Sequence, residues 1–92
     1  MRAMNEMVLR EVAGEHILIP VGKTAMRVKG MISLSESGSL LWQKLQQDCT
    51  FEDLTNALLA EYDVDRTVAE QDVQAFLERL QIMVDISSRL QN

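Results

Sequence analysis

Gly30-Met31-Ile32-Ser33-Leu34-Ser35-Glu36-Ser37-Gly38 passes from strand to helix within a few residues. Ile32 and Leu34 alternate with Met31, Ser33 and Ser35, so an extended chain here is half-buried, with Ile32 and Leu34 on its inner face. Gly30 lets the backbone turn into that strand without a Cβ clash. Ser35 and Ser37 can then cap an incoming helix, and Glu36 suits the positive end of its dipole.

Toward the N-terminus the pattern stays extended. Met7-Val8-Leu9-Arg10-Glu11-Val12 mixes β-branched and apolar residues, Ala13-Gly14-Glu15 offers a turn, and His16-Ile17-Leu18-Ile19-Pro20 follows as a second strand. Pro20 cannot donate to a ladder, so it should close that strand or sit at an edge. Ala25-Met26-Arg27-Val28 reads as a weak extended segment. Met31 to Ser35 is therefore the third strand.

Toward the C-terminus the spacing becomes helical. Leu41 and Leu45, with Trp42 beside them, form one apolar stripe, which Asp48-Cys49 interrupts. Thr50-Phe51-Glu52-Asp53 resembles a capping box, and Leu54, Leu58 and Tyr62 continue a second helix. Asp63-Val64-Asp65 breaks it. Thr67-Val68-Ala69-Glu70 is a second capping box, followed by Val73, Leu77, Leu80 and Val84 with Phe76 and Met83 at their side. The run Asp85-Ile86-Ser87-Ser88 carries no clear pattern. Three strands followed by three helices indicate an α+β domain, read as one unit over residues 1–92 with its core at about 7–84.

Composition narrows the function. With 47% apolar residues the chain has enough for one core, and 25% charged residues do not suggest disorder. No apolar stretch approaches the ~20 residues that cross a bilayer. The first residues lack the apolar run of a secretory signal, and the one cysteine, Cys49, has no internal partner, so the cytoplasm is the expected compartment. Net charge is −5, distributed as +2 over residues 1–47 and −7 over residues 48–92. Such an acidic second half is a poor surface for phosphates, so nucleic acid is not an expected partner.

Residues for catalysis are scarce. One histidine and one cysteine are too few for a zinc site built on those ligands, and His16 sits in a strand with no nucleophile near it in sequence. The glycines form neither GxGxxG nor a P-loop. Asp63 with Asp65, and Glu70 with Asp72, read as turn-formers and a solvated helix face rather than metal ligands. No catalytic residue, metal or cofactor is expected. Phe76 and Met83 lie beside the Val73–Leu77–Leu80 row and can form the shoulder of a groove.

From Val8 to Met83 the chain resembles the PqqD family, the peptide-chaperone domain also called the RiPP precursor recognition element. Three stretches carry the resemblance: Gly30 to Gly38 followed by Leu41-Trp42 and Leu45; Thr50 to Leu54 with Leu58-Leu59 and Tyr62-Asp63-Val64; and Asp72-Val73, Phe76-Leu77 and Leu80. Ser35 stands where the family usually shows Asn, and both can cap a helix. The resemblance implies a winged helix-turn-helix-like fold, a three-stranded antiparallel sheet with three helices. It also implies a non-catalytic adaptor that binds the leader of a ribosomally made precursor peptide by strand addition and presents it to a modifying enzyme, such as a radical SAM enzyme. Carried over, Met31, Ile32, Ser33, Leu34 and Ser35 would pair with the leader, and Asp72, Phe76, Arg79 and Met83 would contact it from the last helix. Gly22 to Lys29 matches nothing specific to pyrroloquinoline quinone assembly, so that pathway is not assigned.

Two other readings use the same elements. A winged-helix DNA-binding regulator would need basic or amide side chains on its reading helix, whereas Glu70, Asp72 and Glu78 outnumber Arg79 there. A structural or oligomerising module would use the open strand for self-association, giving a homodimer by strand exchange.

Overall fold

A computed structural model describes residues 1–4, 6–28, 30–81 and 86–87. Its elements in chain order are β1 (Arg2–Ala3), β2 (Met7–Val12), β3 (Glu15–Pro20), α1 (Thr24–Arg27), β4 (Ile32–Leu34), α2 (Glu36–Lys44), α3 (Phe51–Glu61), α4 (Arg66–Gln81) and β5 (Ile86–Ser87). The main sheet is antiparallel with strand order β2-β3-β4. It precedes the three longer helices, as the strand-then-helix pattern predicts.

Val12 pairs with Glu15, which leaves Ala13 and Gly14 as a two-residue hairpin loop. Both have positive φ, 51° and 82°, the geometry whose twist matches the flanking strands. Gly14 adopts it freely, whereas Ala13 is strained there. Pro20 closes β3 opposite Met7. β4 then joins the far side of β3 through Leu18↔Ile32, Ile17↔Ser33 and His16↔Leu34.

The core lies between this sheet and the helices. Leu18 and Leu34 from the sheet meet Leu41, Trp42 and Leu45 from α2, Leu54 and Leu58 from α3, and Ala69, Val73, Leu77 and Leu80 from α4. These are the apolar stripes read at helical spacing, except Val84, which lies outside the described residues. The α2 cap is Ser35, whose Oγ accepts from the Gly38 N–H at 3.1 Å. Thr50 and Asp53 cap α3 reciprocally, each side chain accepting from the other's backbone N–H at 2.9 Å. Asp therefore closes this capping box as Glu or Gln would.

Three features differ from the sequence expectations. Ala25 to Val28 is not extended: Thr24–Arg27 forms one helical turn, with the Val28 N–H donating to the Thr24 carbonyl at 2.8 Å. Thr24 is buried because its Oγ1 accepts from the Glu6 N–H at 2.9 Å. That contact with the chain before β2 is long-range, and local propensity does not report it. Second, α4 begins before Thr67. The Ala69 N–H already donates to the Asp65 carbonyl at 2.9 Å, so Thr67 sits within the first turn. Third, Ile86–Ser87 forms β5 and pairs antiparallel with β1 in a separate two-stranded sheet. The Ala3 N–H donates to the Leu45 carbonyl at 3.0 Å, fastening β1 to the end of α2.

Two predictions test this packing. Ala13→Asn places a residue tolerant of left-handed backbone at the strained position and should raise stability by about 1 kcal/mol. Urea denaturation would show a higher midpoint at unchanged slope; an unmoved midpoint would contradict this turn geometry. Cys49 is 9% exposed, and burial pushes its thiol above the usual range, with Asp53 and Asp48 adding to the rise. A raised pKa leaves less thiolate at a given pH. Iodoacetamide at pH 8 should therefore modify the folded chain roughly tenfold or more slowly than the denatured chain.

Candidate functional site

β3 covers one side of β4, and among the described residues no strand covers the other. That outer side faces α4 across a groove. The groove holds about 400 Å³ and is lined by Met31 to Leu34 on the strand side and by Phe76, Arg79 and Leu80 on the helix side. A smaller hollow of about 250 Å³ continues it past the end of the strand, between Ser35, Ser37, Gly38 and Leu41 and the α4 residues Asp72, Ala75, Phe76 and Arg79. Phe76 and Arg79 line both, so the two hollows adjoin, and together they are called the channel.

The backbone of β4 is oriented for use. The Arg79 guanidinium donates through Nη2 to the Ser33 carbonyl at 3.2 Å, across the groove. A residue in extended chain sends its N–H and C=O to the same side, so the Ser33 N–H faces the groove as well. Ile32 and Leu34 direct theirs toward β3. Met31 and Ser35, two residues away on either side, are next in the outward register.

The side chains divide the channel by polarity. Ile32 and Phe76 are half-buried, while Leu34 and Leu80 are buried, giving the larger hollow an apolar floor. Arg79 is its one cation, and it forms no ion pair among the described residues. The smaller hollow is mostly hydroxyl and backbone, with the Asp72 carboxylate at its helix side. Gly38 sets its width. A Cβ on Gly38 would lie 3.3 Å from Phe76 Cε1 and 3.3 Å from Ser35 Oγ, tighter than ordinary contact. The missing side chain lets the ring pack against the first turn of α2.

Of the residues expected at the site, Met31, Ile32, Ser33, Leu34, Ser35, Asp72, Phe76 and Arg79 line this channel; Met83 lies outside the described residues. Leu80 and Gly38 also line it. Periodicity marks Leu80 only as core, although it reaches the groove floor from the buried stripe. Gly38 carries a sequence signal, its spacing from Gly30 and Leu34, but the reason for a glycine there appears only when α4 packs against α2. Tyr62 is likewise explained by the fold: its hydroxyl donates to Glu36 Oε1 at 3.1 Å, tying the exit of α3 to the first turn of α2.

Among the described residues there is no group of three or more His, Cys, Asp or Glu side chains able to hold a metal, and no helix long and apolar enough to cross a membrane. Cys49 lies away from the channel, in a hollow with Lys44, Asp48 and Asp53.

The fold has counterparts in solved structures. One is described as "TbiB1 in Complex with the TbiA(beta) Leader Peptide"; it shares 24% identity with a TM-score of 0.71, over 96% of this chain and 99% of that one. A second, "Lasso peptide synthetase B1 complexed with the leader peptide", shares 24% identity with a TM-score of 0.70, over 91% of this chain and 95% of that one. Likeness at this identity establishes the fold, a winged helix-turn-helix-like α+β arrangement. No curated protein sequence matches the chain. The profile of the family described as "Coenzyme PQQ synthesis protein D (PqqD)" matches residues 15–82, from the start of β3 to just past the end of α4. The match covers most of the chain, including every described element that lines the channel, and the chain belongs to the PqqD family.

Proposed function

We propose that this chain is a non-catalytic adaptor that binds the leader segment of a ribosomally made precursor peptide as an added strand along β4, and presents it to a modifying enzyme such as a radical SAM enzyme. The observation that carries this reading is the Ser33 carbonyl turned outward to Arg79, on a strand edge that no described strand covers and beside an apolar groove. Family membership supports it, as do two structural relatives described in complex with leader peptides.

Magnitudes assign the work within the site. An exposed strand edge pairs with extended chain through its free N–H and C=O groups. β4 is short, so Ser33 and its outward neighbours offer only a few hydrogen bonds, each contributing roughly 0.5–1.5 kcal/mol net. Ordering a flexible leader costs about 2–5 kcal/mol, which consumes most of that gain. Net affinity then comes from side chains entering the groove, about 1.5–3 kcal/mol for each large apolar residue buried. Backbone pairing sets register, and the pockets beside Ile32, Phe76 and Leu80 set strength. No bond is made or broken by the adaptor. Its contribution to modification is a raised local concentration of substrate at the enzyme. The excess of Glu70, Asp72 and Glu78 over Arg66 and Arg79 on α4, with Arg66 bonded to Asn56, argues against a DNA-reading helix.

Calorimetry with a leader peptide encoded beside this gene tests the reading. Ser33→Pro removes the outward N–H without breaking a bond to β3, so the variant should fold and lose roughly tenfold or more in affinity. Unchanged affinity in a folded Ser33→Pro chain would exclude β4 as the binding edge. Phe76→Ala should weaken binding by roughly tenfold through lost burial, with a parallel melt to separate any loss of core packing. Gly38→Ala should keep the helix, since alanine is the better helix former. Its Cβ pushes the Phe76 ring toward the groove, so peptide affinity should fall while thermal stability holds.

A further inference from the structure

We infer that Arg79 selects the peptide: the preferred guest carries an Asp or Glu at one fixed position, flanked by apolar residues that fill the larger hollow. This rests on the strand-addition reading of β4. The starting point is the 3.2 Å bond from Arg79 to the Ser33 carbonyl. That carbonyl is the acceptor a guest strand's N–H must use. A guest therefore joins the edge by replacing the guanidinium, and what the guanidinium does next determines how well each sequence binds.

Arg79 forms no ion pair among the described residues, and the Asp72 carboxylate that lines the smaller hollow with it is not bonded to it, so the displaced guanidinium is open to a guest carboxylate in the larger hollow. A guest carboxylate positioned above it replaces one bond to a neutral carbonyl with a bidentate pair between opposite charges, which adds both attraction and fixed geometry. A neutral guest leaves the guanidinium to solvent, and a basic guest adds repulsion. The choice is thus made at the moment the strand pairs.

The surroundings favour one position for the acid. Asp72 lies two helical turns earlier on the same helix and lines only the smaller hollow, whereas Arg79 lines both, so an acid placed beside Arg79 in the larger hollow avoids like charge. Arg66, another cation of the helical half, already donates to Asn56 Oδ1 at 2.9 Å, away from the channel. One cation beside one acid also fixes the sliding register of the guest, which backbone pairing on so short a strand specifies weakly.

The probe is a displayed library of random peptides long enough to cover both hollows, selected separately on the wild-type chain, on Arg79→Gln and on Arg79→Glu. Arg79 is exposed, so both variants should fold, and the neutral one guards against a misfolded charge swap. Peptides enriched on each are then checked for shifts of the Ser33 amide resonance. Wild-type selection should enrich Asp or Glu at one position, Arg79→Gln should lose the preference, and Arg79→Glu should replace it with Lys or Arg. Neutralising that acid in a selected peptide should weaken wild-type binding roughly tenfold and change Arg79→Gln binding by no more than about twofold. Peptides that shift Ser33 but show the same charge pattern on all three chains would overturn the role of Arg79 while leaving strand addition standing. If no peptide is enriched, or none of those enriched disturbs Ser33, strand addition itself falls and the selection by Arg79 with it.

Discussion

A short strand with a partner on one side has outward backbone groups that must find hydrogen bonds elsewhere, and that requirement organises this molecule. Among the described strands β4 pairs with β3 alone, and the Ser33 carbonyl it turns outward is satisfied by Arg79 reaching across from α4. Burying such a group without a partner would cost about 1–3 kcal/mol. The arrangement is stable because the acceptor stays at the rim of an open groove, where a side chain, water or another backbone can serve it. β4 and α4 share the core through Leu34, Val73, Leu77 and Leu80, and at the rim they are close enough for a guanidinium to span.

Everything around the groove holds that spacing. Leu34 points into the core and meets the helices, while Ser33, its neighbour, remains at the surface. The Ser35 cap starts α2 immediately after β4, so the strand cannot lengthen and the channel turns toward Asp72. Gly38 admits the Phe76 ring, and the Tyr62–Glu36 bond ties α3 to the same first turn of α2. Across the sheet, the contact between Thr24 and Glu6 closes the loop that leads into β4. The groove is thus framed by contacts between elements far apart in sequence, with a rigid floor and an exchangeable rim.

This division suits recognition of a flexible ligand. In the proposed role, backbone pairing is indifferent to sequence and would accept any extended segment, while the apolar floor and Arg79 would discriminate among segments. An adaptor of that kind would need to release its guest after modification. A short edge that contributes register rather than affinity, combined with modest apolar burial, favours binding that is specific without being permanent.

The strands, the helical stripes and two of the caps were legible in the sequence because each rests on neighbours within a few positions. Ile32 and Leu34 alternate, Leu54 and Leu58 recur at helical spacing, and Thr50 lies three residues from Asp53. The capping pattern at Thr67 places the start of α4 slightly late, since the Asp65 carbonyl already takes the first bond. The helical turn at Thr24–Arg27 and the pairing of β1 with β5 are not legible, because each involves a partner outside its local stretch of sequence, Glu6 for Thr24 and the opposite end of the chain for β1. The channel residues could be named by resemblance to a family, but not measured. By itself the sequence determined which segments extend, which coil and which faces are apolar, all consequences of local periodicity. Only the tertiary structure decided that β4 ends the sheet, that Arg79 reaches the Ser33 carbonyl and that Gly38 meets Phe76, because these are distances between elements, and distances depend on how all the faces pack at once.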